Sequence, residues 1–188
     1  DRRSGRRPGR RSKHTRCVRV GNKRGGVARI ASLGSRRGCN IESLAVGVTD
    51  DPAISRMTLV VEGDEATLNQ VSKQLDKLIE VIQVADLDAE HSVAREMALI
   101  KVSVDPQRRP QVLQLASVFR ASVVDVGHEA VILEVTGTHD KVEALISLAQ
   151  EFGVQEVART GIIALARGAQ SMTAPREERY DDAAVLRV

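Results

Sequence analysis

The sequence predicts an α+β fold of two tandem βαββαβ sandwiches. Three observations carry the prediction. Runs that alternate in polarity are interleaved with stretches of helical spacing in the order β-α-β-β-α-β, and the order recurs in the second half. The halves match faintly at corresponding places: Val-Val-Glu-Gly at 60–63 stands against Glu-Val-Thr-Gly at 134–137, each ahead of a helix. Hydrophobic residues make up 42% of the chain but aromatics only 2%, so the core is built from Val, Ile, Leu and Ala, a strand-favouring set.

Residues 1–15 are rich in Arg, Ser and Gly without periodicity and read as a disordered basic leader. Residues 16–20 read as a strand, and the turn Gly21 to Gly26 holds three glycines able to adopt positive φ. Val27, Ile30, Ala31 and Leu33 fall at helical spacing, and Gly38 is placed to end that helix. Strands are expected at 40–47 and 54–62 around the turn Thr49-Asp50-Asp51-Pro52. Leu68, Val71, Leu75 and Leu78 form the stripe of a second helix, and residues 81–87 a fourth strand.

The polar stretch 88–95 reads as a linker. Beyond it the pattern predicts a strand at 98–104, a helix opened by Pro106, a hairpin of strands 122–126 and 131–135, and a helix after Gly137. A strand at 154–157 and a short apolar run from Gly161 to Ala166 follow, and residues 169–188 read as a frayed polar tail. Each half is thus the ferredoxin-like unit. Its sheet order, 4-1-3-2, keeps the strand of Cys17 from neighbouring the one that starts after Cys39, which argues against a disulfide between them.

The net charge of +3 is unevenly placed. Residues 1–16 hold eight bases and one acid (+7), which leaves 20 bases and 24 acids (−4) for the remainder. The basic leader fits a solvated tail first, a transit-peptide remnant second and a nucleic-acid arm last, because no nucleic-acid-binding signature follows it. No apolar run approaches the length of a membrane span. Two cysteines make no disulfide framework and fit a reducing compartment, the cytoplasm of a bacterium or, as the alternative, plastid stroma.

Catalysis needs convergent groups, and none is visible. His14, His91, His128 and His139 lack ligand spacing to a second His, Cys or acid, so no metal site is expected. No nucleophile elbow, phosphate-binding loop or dinucleotide fingerprint occurs. The acids at Asp50-Asp51 and Asp64-Glu65 sit where they support a turn or complement a helix dipole.

One constellation points to binding. The loop from Asn22 to Gly26 feeds a helix start, whose unpaired N–H groups suit a carboxylate, and Asn40 opens the second strand with both a donor and an acceptor. Together they suit a free amino acid. Spacing alone leaves the plainer reading open: a glycine-bearing β-α turn, and an asparagine at a tight bend.

The run Asn40-Ile41-Glu42-Ser43-Leu44-Ala45-Val46-Gly47, after Ser35-Arg36-Arg37-Gly38, resembles the small subunits of acetohydroxyacid (acetolactate) synthase. So do Ser55-Arg56-Met57-Thr58, Lys73-Gln74-Leu75-Asp76-Lys77-Leu78-Ile79, Phe119-Arg120-Ala121, Val123-Val124-Asp125-Val126, Glu134-Val135-Thr136-Gly137 and Ala158-Arg159-Thr160-Gly161, in order over about residues 14–168. The resemblance implies an N-terminal ACT regulatory domain at 16–88 and a C-terminal ferredoxin-like domain at 95–168. It implies a homodimer through the ACT domains, with valine, leucine or isoleucine bound at the pair interface. Carried over by position, one protomer contributes Asn22, Lys23, Gly25, Gly26, Val27 and Ala28, and the other Asn40 and Ile41. The implied partner is the catalytic subunit, which the small subunit activates and places under feedback by valine in branched-chain amino acid biosynthesis. Thiamine diphosphate, Mg²⁺ and FAD belong to that subunit, and no cofactor is expected on this chain.

The chain departs from the family pattern at Arg24, Gly26 and Gly34, and at Arg16 and Arg19 in the first strand, where apolar residues are usual. Extra glycine freedom raises the entropy lost on ordering a ligand loop, so weakened valine binding or altered selectivity is expected. The rival readings are a stand-alone amino-acid sensor acting on another enzyme or promoter, an enzyme on the same scaffold, and a nucleic-acid binder using the leader.

Overall fold

The computed structural model describes residues 12–22, 25–35 and 40–172. The first sandwich comprises β1 (Ser12–Gly21), α1 (Gly26–Ser35), β2 (Asn40–Val48), β3 (Ile54–Gly63), α2 (Glu65–Leu75) and β4 (Val81–Leu87). The second comprises β5 (Ser92–Ser103), α3 (Arg109–Val118), β6 (Ser122–Val126), β7 (Ala130–Gly137), α4 (His139–Ala149) and β8 (Val154–Arg159), and a short β9 (Ile163–Ala166) follows. The sheets run β2-β3-β1-β4 and β6-β7-β5-β8, with all pairings antiparallel. The expected 4-1-3-2 order is therefore present in both halves. Cys17 is buried and free; Gly38 and Cys39 lie outside the described residues.

Alternation fixes which face of each strand is buried. Val18, Val20, Met57, Leu59 and Val61 meet Ile30, Leu68, Val71 and Leu75 of the helices in one apolar core. Ile100, Val102, Leu133 and Val135 meet Val112, Val142 and Leu145 in the other. Asp64 caps α2 by accepting from Thr67 N–H at 2.7 Å, and Thr138 caps α4 by accepting from Lys141 N–H. Asp51 Oδ1 accepts from Ala53 N–H at 2.9 Å and shapes the β2–β3 turn.

The structure corrects several boundaries. β1 begins at Ser12, not at residue 16, because β3 is ten residues long and offers partners to Ser12 and Lys13 as far as Gly63 and Glu62. The linker expected at 88–95 shrinks to a turn. Asp88 Oδ1 accepts from the N–H groups of Glu90 and His91, and β5 starts at Ser92. The His91 N–H bond, with further help from its ring, holds the Asp88 carboxyl below its ordinary range. The helix expected from Pro106 starts at Arg109, since Asp105 Oδ1 first holds Gln107 and Arg108 N–H in a turn, and Pro110 occupies the first helical turn. Nor is the start of the tail frayed: Met172 is buried and its carbonyl accepts from Arg19 Nη1 at 2.9 Å.

The two unusual arginines of β1 now have partners. Arg16 shares the register of Leu59 and is buried, with Nε 3.1 Å from Asp86 Oδ1 in an ion pair that lacks hydrogen-bond alignment. Arg19 lies on the opposite face, toward Met172.

That outer face is covered by the second half. Residues 92–95 of β5 pair with β9, and the resulting ribbon packs on the outer side of the first sheet. Ala164 O accepts from Arg56 Nη2 at 2.7 Å and from Cys17 Sγ at 3.7 Å. The rest of β5, from Glu96 onward, pairs with β7 and β8 in the second sheet.

Candidate effector site

The β1–α1 loop is held from two sides at Glu80. Gly21 N–H donates to Glu80 O at 2.9 Å, and Arg29 Nη1 donates to Glu80 Oε1 at 2.8 Å. Asn22 N–H donates to Ala53 O at 2.7 Å and its side-chain amide to Pro52 O at 3.2 Å, which ties the loop to the β2–β3 turn. Gly25 has φ +89°, and a Cβ there would meet nothing within 4 Å, so glycine is required by backbone conformation and not by space. Lys23 lies outside the described residues, as does Arg24.

Gly26 is the first residue of α1 and is buried, with Val27 and Ala28 exposed beside it. The first turn of α1 carries no acidic side chain, unlike that of α2 with Glu65 or α4 with Asp140. A Cβ on Gly26 would touch Glu80 Cβ at 3.6 Å, an ordinary contact. Gly26→Ala is thus expected to raise stability by about 0.4–1 kcal/mol through the unfolded chain, read as an upward shift of the denaturation midpoint.

Asn40 is exposed at the start of the edge strand β2, opposite Glu62, and Ile41 is half-buried opposite Val61. The loop and Asn40 do not meet within one chain. Gly21 pairs with Ile54 and Asn40 with Glu62. Eight steps along β3 separate those partners, roughly 26 Å at about 3.3 Å per residue.

A groove of about 810 Å³ opens elsewhere, on the outer face, between residues 45–50, β9 and residues 170–172, with Arg19, Arg56 and Arg95 in its walls. None of the residues expected to hold an amino acid lines it.

Sequence reasoning missed a buried ionic cluster in the second half. Glu96 on β5 is 2% exposed; Arg159 Nη2 lies 2.5 Å and His139 Nδ1 3.2 Å from its Oε1. Arg159 also pairs with Glu143. Hydrogen bonding to Arg159 lowers the Glu143 carboxyl against the opposing effect of burial. Arg159 itself is raised, because its two carboxylate partners outweigh a desolvation that acts the other way. The available signal was a charge at 96 inside what proves to be a continuous strand. Also missed were Ser43 and Gly161, which touch across the halves. Among the described residues no three His, Cys, Asp or Glu side chains are grouped to hold a metal ion, and no helix is long and apolar enough to cross a membrane.

Comparison with known proteins places this geometry in a family. Residues 17–83 match the model of the AHAS small subunit-like ACT domain, and residues 95–168 that of the small subunit of acetolactate synthase. The chain is 51% identical over 156 residues to the probable acetolactate synthase small subunit of Archaeoglobus fulgidus, covering 83% of this chain and 98% of that one. It is 50% identical over 155 residues to the acetolactate synthase small subunit of Mycobacterium bovis, covering 82% and 92%. The crystal structure of the acetolactate synthase small subunit from Thermotoga maritima superposes with a TM-score of 0.78 at 43% identity, covering 84% of this chain and 98% of that one. Fold, element order and sequence agree over both halves, and the chain belongs to the acetolactate synthase small-subunit family.

Proposed function

We propose that this chain is the regulatory subunit of an acetolactate synthase: it binds and activates the catalytic subunit and makes it sensitive to valine. The effector sits where two copies meet, at the β1–α1 loop of one and at Asn40 and Ile41 of the other. The observation that carries this reading is the position of those two elements at opposite ends of an open sheet edge. Val48 pairs with Ser55, beside the Ile54 that faces Gly21, so β2 ends near the loop and begins at Asn40. Two β2 edges joined antiparallel about a two-fold axis bring the loop end of one copy beside Asn40 of its partner, twice by symmetry.

Apolar exposure along that edge supports the same pairing. Val46 shares the face of Met57, yet Val46 and Val48 are 45% and 61% exposed, and Val27 on α1 is 40% exposed. A second copy laid against β2 and α1 covers all three. The N–H groups at the α1 terminus take the effector carboxylate, and the Asn40 amide takes its ammonium. A branched aliphatic side chain meets the half-buried Ile41 and the exposed valines. The effector stabilises one arrangement of the pair by its differential affinity, and the catalytic subunit responds to that arrangement. The reaction belongs to the catalytic subunit with its thiamine diphosphate, Mg²⁺ and FAD; this chain contributes control.

The test is a reconstitution. Catalytic subunit is assayed with and without this chain across valine, leucine and isoleucine titrations, and sedimentation reports the oligomeric state. Activation by the chain, a fall in rate with valine and a dimer of the isolated chain are expected. An isolated monomer that binds none of the three amino acids overturns the reading.

A further inference from the structure

The strand that would carry Asn40 and Ile41 is gripped by the second half one step further on. Ile41 pairs with Val61 and Ser43 with Val60, so Glu42 is the extra residue of a bulge. Lys13 Nζ holds the bulged Glu42 at 3.0 Å. Immediately after it, Ser43 Oγ accepts from Ile162 N–H at 2.8 Å. Gly161 stands so close that an added Cβ would lie 3.0 Å from both Leu44 O and Ser43 Oγ, and its φ is +80°. Conformation and contact both select glycine there.

The gripping turn is anchored at its other end. Thr160 N–H donates to Met97 O at 3.0 Å, and Met97 N–H donates to Thr160 Oγ1 at 3.1 Å. Met97 lies in the part of β5 that pairs with β7. A displacement of β2 at the bulge thus has a path to β5 of the second sheet through Ser43 and the three-residue turn 160–162 that joins β8 to β9.

We propose that Ser43 is the positioning residue that couples effector occupancy to the second sandwich, acting through the turn at Gly161 and Ile162. The proposal rests on the reading of Asn40 and Ile41 as effector contacts. A ligand drawing on Asn40 acts two residues upstream of a bulge, where the ladder is already interrupted and the strand bends. Ser43 Oγ then shifts against Ile162 N–H, and occupancy biases the bond between the halves. By reciprocity, whatever grips the second half alters effector affinity by the same factor.

The experiment is hydrogen exchange on the full chain with and without saturating valine, beside calorimetry of valine binding. Valine is expected to change exchange at the Ile162 amide about fivefold, the worth of one net hydrogen bond. Ser43→Ala keeps valine binding and loses that change; Ser43→Thr, which retains the hydroxyl, restores it. Valine heat in the wild type without a change at Ile162, or a change that survives Ser43→Ala, overturns the coupling while leaving the effector site standing. Absence of heat with valine, leucine and isoleucine overturns both. Should Ser43→Ala fail to fold, the wild-type and Ser43→Thr arms decide.

Discussion

Asn40→Ala is expected to weaken valine binding about tenfold to a hundredfold while leaving the fold intact. The side chain is exposed at the first residue of an edge strand, and its backbone pairing with Glu62 needs no amide group. Surface truncations of this kind change stability by about 0.5 kcal/mol or less. The lost ligand bonds go to charged groups and are worth about 1.5–3 kcal/mol. Gly25→Ala should reach a similar loss by a different route. No neighbour obstructs the new Cβ, so the cost is that of holding alanine at φ +89°, about 1–3 kcal/mol, which the loop relieves by rearranging. Calorimetry with valine on both variants, beside thermal melts, checks the pair. Unaltered affinity in Asn40→Ala would exclude the effector geometry proposed here.

Arg159→Ala is expected to destabilise the second sandwich by about 3 kcal/mol, the low end of the range for stranding a buried charge. Glu96 is almost wholly inaccessible, and Arg159 supplies its shortest contact; His139 at 3.2 Å remains and limits the damage. Typical domain stabilities of about 5–15 kcal/mol make such a loss plain in a urea titration. Glu143→Gln serves as the contrast. Its carboxylate is half exposed, and such pairs contribute about 0–1 kcal/mol. The double variant Glu96→Gln/Arg159→Ala should recover most of the loss, because no charge is left buried.

Glu143 titrates below its ordinary value in the folded chain, so the stability it lends is present above that ordinary value and fades as pH falls through the depressed one. Arg159→Ala removes this acid-sensitive increment. An Arg159→Ala midpoint equal to that of the wild type would show that Glu96 is satisfied without Arg159.

Elements carried by local pattern were legible in the sequence. The stripe Leu68, Val71 and Leu75, the acid Asp64 at the start of α2 and the alternation in β3 and β7 each depend on residues within a few positions of one another. The misreadings share a cause, which is contact between residues distant in the chain. Residues 92–95 looked like a linker because their partners are β9 residues some seventy positions later. Ser12 was assigned to the leader because what extends β1 is the length of β3. Met172 reads as part of a loose end because nothing near it in sequence shows that Arg19 of β1 holds it. The proposed effector residues were found from glycine placement and family resemblance. Ser43 and Gly161 stand in the family motifs, but a serine and a glycine in segments so far apart carry no sign that they touch.

Because one twelve-residue strand serves both the second sheet and the ribbon on the first, a cut between the two sandwiches strips the first of its cover. A cut at residues 88–91 leaves the front piece with Cys17, Thr58 and Val60 open to water. Differential scanning calorimetry should accordingly record a single endotherm, and separately expressed halves should be poorly soluble.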